Sequence, residues 1–578
     1  MIFFLTLLTI ASLNAQTGFD GLTYAQRKQR WLANVPDPTP QMSDFDRRLY
    51  FSAWLEKGLY NQTVSETLHD ILGAFWFTGG RSHHGYLAAL LVKFGSKGSN
   101  VISKIDEAAI KRKYEENLIK NAEAFQDFNP NKQIWTMVGI YIYTTYFDNK
   151  LTFPFYGHPV TSDATEDAIY SNNWPTFSIG GHTYLFGKGP YNASQLAEDF
   201  IKHKLATWYL EGNREFDSLN YHRAYMGALL MLYDFARDNQ FRNQAKMGAE
   251  LVMLDALLDF GNSEWGGTLG RTDFRRTSKN SNFPIYEYFG IGQKDTERPD
   301  INVLFSFDYE PPELFVDLAN LSDENDDYYH FHKERHDAKL KNDRRKGKWN
   351  YVTPHYNIGS NVGGLNSGWQ VTVRGDAPGK FIRFWINGQA DIADTTETRY
   401  LGNEGKQFRN ALFADIGSQP KLHERKRRQE WQIDEVDGKW LFKKLNPVFV
   451  AISMTSSTAS VELATLGVEY PSYTEFKKAV KNNARLTTKS YTTSQGITIN
   501  SSDNCGLYAP GDCTFPFKRM ETVYKNGSII TWFDNVMTVS YHGKSLEYDF
   551  RSLLENIQTT RDRAPNPPSN VKVQTHNN

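Results

Sequence analysis

Over residues 24–318 apolar side chains recur mostly at three- and four-residue steps, the period of an amphipathic helix. The stretches 199–210, 221–237 and 241–260 carry this repeat most cleanly. Several helical stretches run into glycine-rich joints: Thr78-Gly79-Gly80, Ser178-Ile179-Gly180-Gly181 and Glu264-Trp265-Gly266-Gly267. Antiparallel helices joined in this way predict a bundle or a closed helical toroid. Residues 330–348 are densely charged and almost without apolar side chains, which predicts a solvated connector. Beyond them the period falls to two. The stretches 368–374, 380–387, 430–436, 448–455, 460–468 and 528–541 read as strands, and Asn387-Gly388, Asp437-Gly438 and Asn526-Gly527 read as hairpin turns. So many strands with short polar turns suggest an antiparallel sandwich.

The expected fold class is therefore α+β with more than one domain. A catalytic helical toroid is expected over residues 20–330, a charged linker over 331–349 and a β-sandwich over 350–556. Residues 557–578, polar and proline-containing, predict a loose tail. At 578 residues the chain is too long for one ordinary core, which agrees with two substantial domains.

Composition narrows the partners. Hydrophobic residues make up 40% and charged residues 23%, which fits a globular chain and argues against wholesale disorder. A formal net charge of -1 gives no global basic field to hold nucleic acid, although local basic residues in a cleft can still hold a polyanion. The 38 Phe, 31 Tyr and 13 Trp supply a large aromatic core, and the Trp and Tyr rings also suit the apolar faces of pyranose sugars.

Residues 2–13 form an apolar run ending in Asn14-Ala15-Gln16, so residues 1–15 read as a signal peptide. The run is too short to span a bilayer comfortably, and no other segment approaches the length needed. The expectation is an exported protein, extracellular or periplasmic, with no membrane span. Cys505 and Cys513, the only cysteines, could close a small loop as a disulfide or remain as thiols. They are too few for a cysteine metal site. Oligomeric state is not readable.

The chemistry concentrates in the stretch from Glu211 to Tyr225, which leads into an apolar helix. At 3.6 residues per turn, Arg214, Ser218, Tyr221 and Tyr225 fall near one helix face, with His222 about 100° round from Tyr221. Upstream, Gly180-Gly181-His182-Thr183-Tyr184 places an imidazole and a phenol in a glycine-flanked turn. Downstream, Arg271 follows Gly266-Gly267 and Gly270, where the backbone can come close to a ligand and the guanidinium fork can hold a carboxylate.

These residue types suit β-elimination on a uronic acid. Arg, Asn or protonated His neutralises the sugar carboxylate and stabilises the enolate-like intermediate. A Tyr or His then removes the C5 proton, and a Tyr can return one to the leaving glycosidic oxygen. A cation such as Arg214 favours the phenolate form of Tyr221. No metal and no organic cofactor is required.

Arg214…Tyr221-His222, followed by Tyr225 and an apolar helix, resembles the Arg…Tyr-His-Asn-Tyr-Ala-Leu segment of alginate-lyase-type polysaccharide lyases. His182-Thr183-Tyr184 is similar to the Asn-Asn-His-Ser/Gly-aromatic motif upstream in the same enzymes, with Gly180-Gly181 in place of the two asparagines. The resemblance covers about fifty residues. It implies an (α/α) toroid, often with a sandwich behind it, and an acidic polysaccharide as substrate. It also implies Tyr221 as acid/base, His182 as its catalytic partner and Arg214 as a carboxylate ligand. Asn220, His222, Tyr184, Arg271 and Tyr225 join them as candidate substrate contacts, and Asn220, Arg271 or a His elsewhere could replace the missing neutraliser.

Two other readings stay open. A glycoside hydrolase would pair carboxylates from Glu211, Glu215, Asp217 and Glu264 across the scissile bond. A non-catalytic glycan-binding protein would need only aromatic platforms.

Overall fold

The computed structural model describes residues 20–77, 83–120, 130–153, 176–179, 181–185, 190–211, 219–260, 266, 285–291, 308–319, 327–333, 347–362, 368–377, 380–387, 405–417, 420–502, 520–524 and 527–554. Residues 1–15, both cysteines and the tail from 557 fall outside them.

Helices come first. They are α1 (Tyr24–Ala33), α2 (Asp44–Glu56), α3 (Gln62–Phe77), α4 (His83–Phe94), α5 (Lys104–Lys120) and α6 (Pro130–Tyr146). After short strands follow α7 (Ala193–Glu211), α8 (Leu219–Phe235), α9 (Asn239–Phe260), α10 (Ile285–Phe289) and α11 (Glu313–Ala319). The stretches 199–210, 221–237 and 241–260 fall within or within two residues of α7, α8 and α9, because each carries a long apolar stripe to bury. The strands between α6 and α7 are β1 (Thr152–Phe153), β2 (Thr176–Ile179), β3 (His182–Leu185) and β4 (Tyr191–Asn192). β1 pairs with β4 and β2 with β3.

Antiparallel sheets follow. β5 (Tyr328–Lys333), β6 (Gly347–Val352), β7 (Tyr356–Val362), β8 (Gly368–Arg374) and β9 (Phe381–Asn387) run side by side. Next in the chain are β10 (Gly405–Phe408), β11 (Ala411–Asp415), β12 (Lys421–Arg427), β13 (Ile433–Asp437), β14 (Trp440–Leu445), β15 (Val448–Met454) and β16 (Thr458–Thr465). A helix, α12 (Tyr473–Asn483), precedes β17 (Arg485–Leu486), β18 (Ser490–Thr492) and β19 (Thr498–Asn500). The chain closes with β20 (Glu521–Tyr524), β21 (Gly527–Phe533), β22 (Val536–Tyr541), β23 (Lys544–Asp549) and the single turn α13 (Arg551–Leu554).

One sheet has ten strands in the order β12-β9-β8-β7-β6-β5-β20-β21-β22-β23, and a second has six in the order β10-β11-β16-β15-β14-β13. The architecture is mixed helix and antiparallel sheet, an α+β arrangement with the helices ahead of most strands.

Three apolar clusters hold these layers. The helical cluster reaches into the ten-stranded sheet through Tyr328, Val352, Met537, Val539 and Tyr548. A second cluster joins the two large sheets, with Ile358, Val371 and Phe384 on one side and Leu412, Val450 and Val461 on the other. The far face of the six-stranded sheet packs Phe413, Phe442 and Phe449 against Phe476 and Val480 of α12 and Tyr491 of β18. Covered on both faces, β16 is buried at every residue from Thr458 to Thr465.

Two expectations change. The stretch 331–349, read as a linker, includes parts of β5 and β6, which pair through His330↔Asn350 and Phe331↔Trp349. Their polar side chains mimic a solvated segment, yet the sheet takes them up. The single strand expected over 528–541 is broken by Asp534 and Asn535 at φ 43° and 62°, a tight turn that folds β21 onto β22.

Candidate functional site

Successive residues of a strand face opposite sides of a sheet, and cross-strand partners share a side. On β5–β9 one side is the apolar face just described. The other carries His330 beside Asn350, Asn350 beside Gly359, and Gly359 beside Gln370. A second row on the same side runs Asn357, Thr372, Arg383 and Arg425. His330, Asn350, Asn357 and Thr372 are 0% exposed, and Gln370 and Arg383 are 1% exposed. Such groups are usually on the surface unless they are paired. Here Asn357, Thr372 and Arg383 are bonded across the strands, and His330 and Asn350 are bonded to α9. Arg383 Nε donates to Thr372 Oγ1 at 3.1 Å, and Arg374 donates to Asn357 Oδ1 and to the Thr353 carbonyl.

At β9 and β12 this polar face opens. Trp385 and His423, cross-strand partners, are half-buried and stack with centroids 5.4 Å apart and planes 13° from parallel. Arg425 and Arg427 flank them on the same strand, and Trp385 packs against the helical cluster. A flat ring pair among guanidinium groups offers a stacking surface for a sugar and charge for an acid.

The helices complete the buried end. Asp255 and Asp259 lie one turn apart on α9, so both carboxylates leave the same helix face. His330 Nε2 lies 2.9 Å from Asp255 Oδ1 and 4.0 Å from Asp259 Oδ1. His222 Nε2, from the first turns of α8, lies 3.5 Å from Asp255 Oδ2. Asn350 Nδ2 donates to Asp259 Oδ1. The last carbonyls of a helix lack partners within it. The sheet half supplies them here: Tyr328 Oη donates to Leu258 O at 2.9 Å and Asn357 Nδ2 to Asp259 O at 3.2 Å. Gly266 N donates to the same Asp259 carbonyl at 2.8 Å. A Cβ on Gly266 would stand 1.6 Å from Asn357 Nδ2, so only glycine fits this approach.

The candidate residues read from the sequence divide between two places. Leu205 and Leu229 both meet Gly248, and Trp208 and Tyr225 stack edge-on at 4.6 Å, so α7 and α8 run antiparallel. That pairing sets Asp199 level with the end of α8. At 1.5 Å per residue it lies roughly 20 Å along the axis from Tyr221. His182 sits with Asp199, its Nδ1 3.0 Å from Asp199 Oδ2. Tyr184 donates to the same oxygen, and burial together with that bond pushes its phenol far above the ordinary tyrosine range. Gln195 holds the other carboxylate oxygen at 3.0 Å. The expected meeting of His182 and Tyr184 with Tyr221 therefore does not form, because the two groups occupy opposite ends of antiparallel helices.

Asn220, Tyr221 and His222 belong to the first turn of α8, at the end that meets the polar sheet face. His222 is 1% exposed and turned into the Asp255 cluster, a buried position closed to a sugar. Tyr225 is 0% exposed and packs on Trp208, so it is a core residue and not a substrate contact. The side chains of Asn220 and Tyr221, and Arg214, Glu215, Asp217, Glu264 and Arg271 altogether, lie outside the described residues. Sequence reasoning missed Asp255, Asp259, His330, Asn350, Arg383, Trp385, His423 and Arg425. Two local signals existed: acids four apart inside the apolar run Leu254–Phe260 of α9, and the charge-rich stretch 421–428.

Comparison with protein-family models, with curated proteins and with solved structures finds no match for this chain. Among the described residues no helix is long and apolar enough to cross a membrane.

Proposed function

We propose that the chain is an exported polysaccharide lyase that cleaves a uronic-acid polymer by β-elimination. In this reading the helical half is an (α/α) toroid, the two large sheets that share one core form a sandwich, and the substrate lies where they meet. The observation that carries it is the polar, arginine-bearing sheet face opening onto the Trp385–His423 stack, on the side that meets the start of α8.

Arg425 and Arg427, with Arg214 and Arg271 as the guanidinium groups that the sequence motif adds, neutralise the sugar carboxylate so that C5 can lose its proton. Tyr221 as phenolate takes that proton. The C4–O4 bond then breaks, C4=C5 forms, and the Tyr221 phenol gives a proton to the leaving oxygen. His182, placed at the other end of α8, has no part in this step. Rings at 385 and 423 hold a neighbouring sugar by its apolar face.

A hydrolase would need two carboxylates open to the glycosidic bond. Asp255 and Asp259 are close enough to each other, but at 3% and 0% exposure they leave no room for a sugar between them. The test is incubation of the purified protein with alginate, glucuronan, ulvan and glycosaminoglycans, following absorbance of the new C4–C5 double bond. Its appearance on one of them is expected. New reducing ends without that chromophore indicate a hydrolase, and tight binding without products a glycan-binding protein; either result overturns the lyase.

A further inference from the structure

We infer that Asp255, Asp259, His330 and His222 bind one divalent metal ion, and that this ion clamps the helical half onto the polar face of the ten-stranded sheet. The inference is independent of the lyase reading.

The donors come from three elements: two carboxylates from α9, one imidazole from β5 and one from α8. Ligand atoms of Asp255, Asp259 and His330 all lie within 4.8 Å of one another. Individual separations are 2.9 Å and 4.0 Å from His330 Nε2 to the two carboxylates, and 3.5 Å from His222 Nε2 to Asp255. A tetrahedral ion with bonds of about 2.0–2.1 Å needs neighbouring donors roughly 3.3–3.4 Å apart, so Asp255, Asp259 and His330 are within reach of one shared ion after sub-ångström to ångström shifts, and His222, outside that group of three, completes the set by rotating toward it from its contact with Asp255 Oδ2.

Two carboxylates buried side by side repel each other, and a cation held between them relieves that repulsion. An ion coordinated by neutral imidazoles supplies that charge without requiring two protons. The mixture of imidazole and carboxylate selects zinc or a similar transition metal over magnesium or calcium, which take all-oxygen cages.

A second observation points the same way. Asn350 is 0% exposed, its Nδ2 grips Asp259 Oδ1, and its Oδ1 has no hydrogen-bond partner among the described residues. An amide holding a ligating carboxylate in place is the usual outer support of a metal site. All four donor side chains are at most 4% exposed, so the site is closed. A closed site of this kind is structural, not a position for activated water.

The experiment uses the full chain, purified without a metal-affinity step and dialysed against limiting zinc. About one equivalent of bound metal per chain by elemental analysis is expected. A chelator should remove it and lower Tm, and added zinc should restore both. Asp259→Asn and His330→Gln should lose the bound metal and the zinc response, whereas Asp199→Asn should keep both. Asn350→Ala should weaken zinc binding at least about tenfold. Should the ligand variants fail to fold, the wild-type metal content and the spectrum of the cobalt-substituted protein decide, with tetrahedral d–d bands expected. Wild-type protein that holds well under a tenth of an equivalent, and whose Tm ignores zinc, nickel, cobalt and manganese, overturns the inference.

Discussion

The two faces of β5–β9 are both buried and are built from opposite chemistry. Toward the six-stranded sheet, Ile358, Val371 and Phe384 form continuous apolar packing. Toward the helices, the residues one position along are Asn357, Thr372 and Arg383, satisfied by hydrogen bonds across the strands. Apolar burial stabilises in proportion to area and specifies little chemistry. A buried polar face is expensive to assemble and is worth keeping where it positions groups that act. The first face is adhesive between sheets. The second is where the chain keeps its imidazoles, carboxylates and guanidinium groups together.

Adjacent residues on β9 give the sharpest way to break this comparison. Phe384→Ala should lower unfolding stability by about 3–5 kcal/mol in denaturant titration, because a fully buried ring leaves a cavity. Polysaccharide binding per folded molecule should be unchanged. Loss of binding out of proportion to unfolding would show that the two faces are not separate in role. On the other side, Trp385→Ala should weaken binding of an acidic polysaccharide about tenfold, within the usual worth of an aromatic platform, with a smaller effect on stability. Calorimetric titration checks it, and unchanged affinity removes the stack from the site.

A smaller effect separates the carboxylates of α9. Glu250 sits one to two turns before Asp255, accepts from Tyr309 Oη at 3.2 Å with Lys246 Nζ 3.8 Å away, and burial pushes its pKa up to about 6. Its ordinary value is 4.5, so the protonated form favours the fold. That contribution is complete below about pH 4.5 and is lost as pH rises through about 6. Glu250→Gln should therefore raise stability near pH 8 by about 1–2 kcal/mol and flatten the slope of stability between pH 4.5 and 6. Asp259→Asn, whose parent carboxylate is bonded by Asn350 and close to His330, should instead destabilise. Thermal melts across pH distinguish the two, and equal behaviour would mean that the Asp pair is no more organised than Glu250.

Much of the scaffold was legible because period and burial agree. α7 has an apolar stripe, α8 and α9 carry long apolar runs buried on every side, and β8 occupies residues 368–374 as expected, with β9 starting one residue later than its stretch. β12 was not legible, since an edge strand reading Lys-Leu-His-Glu-Arg-Lys-Arg has no apolar alternation to declare it. β5 and β6 failed for a related reason: the side toward the helices mixes His330 and Asn350 with Tyr328 and Val352, and periodicity cannot tell polar groups facing water from those facing another half of the molecule. At the site, the start of α8 was found through its own local motif. Its partners were not, because Asp255 and His330 are 75 positions apart and meet only through packing. His182 looked like a partner by motif, and its true neighbour is Asp199, on the far end of the adjacent helix.

The central claim is that the start of α8 and the polar sheet face form one site for elimination. Double-bond formation by wild-type protein and by Tyr221→Phe, each on the best of the uronate polymers, measures it most directly. Removing that hydroxyl alone should cut turnover at least about a hundredfold with binding nearly unchanged, while His182→Ala leaves turnover within a few-fold. Full activity in Tyr221→Phe together with its loss in His182→Ala would contradict the account and move the chemistry to the other end of the helices.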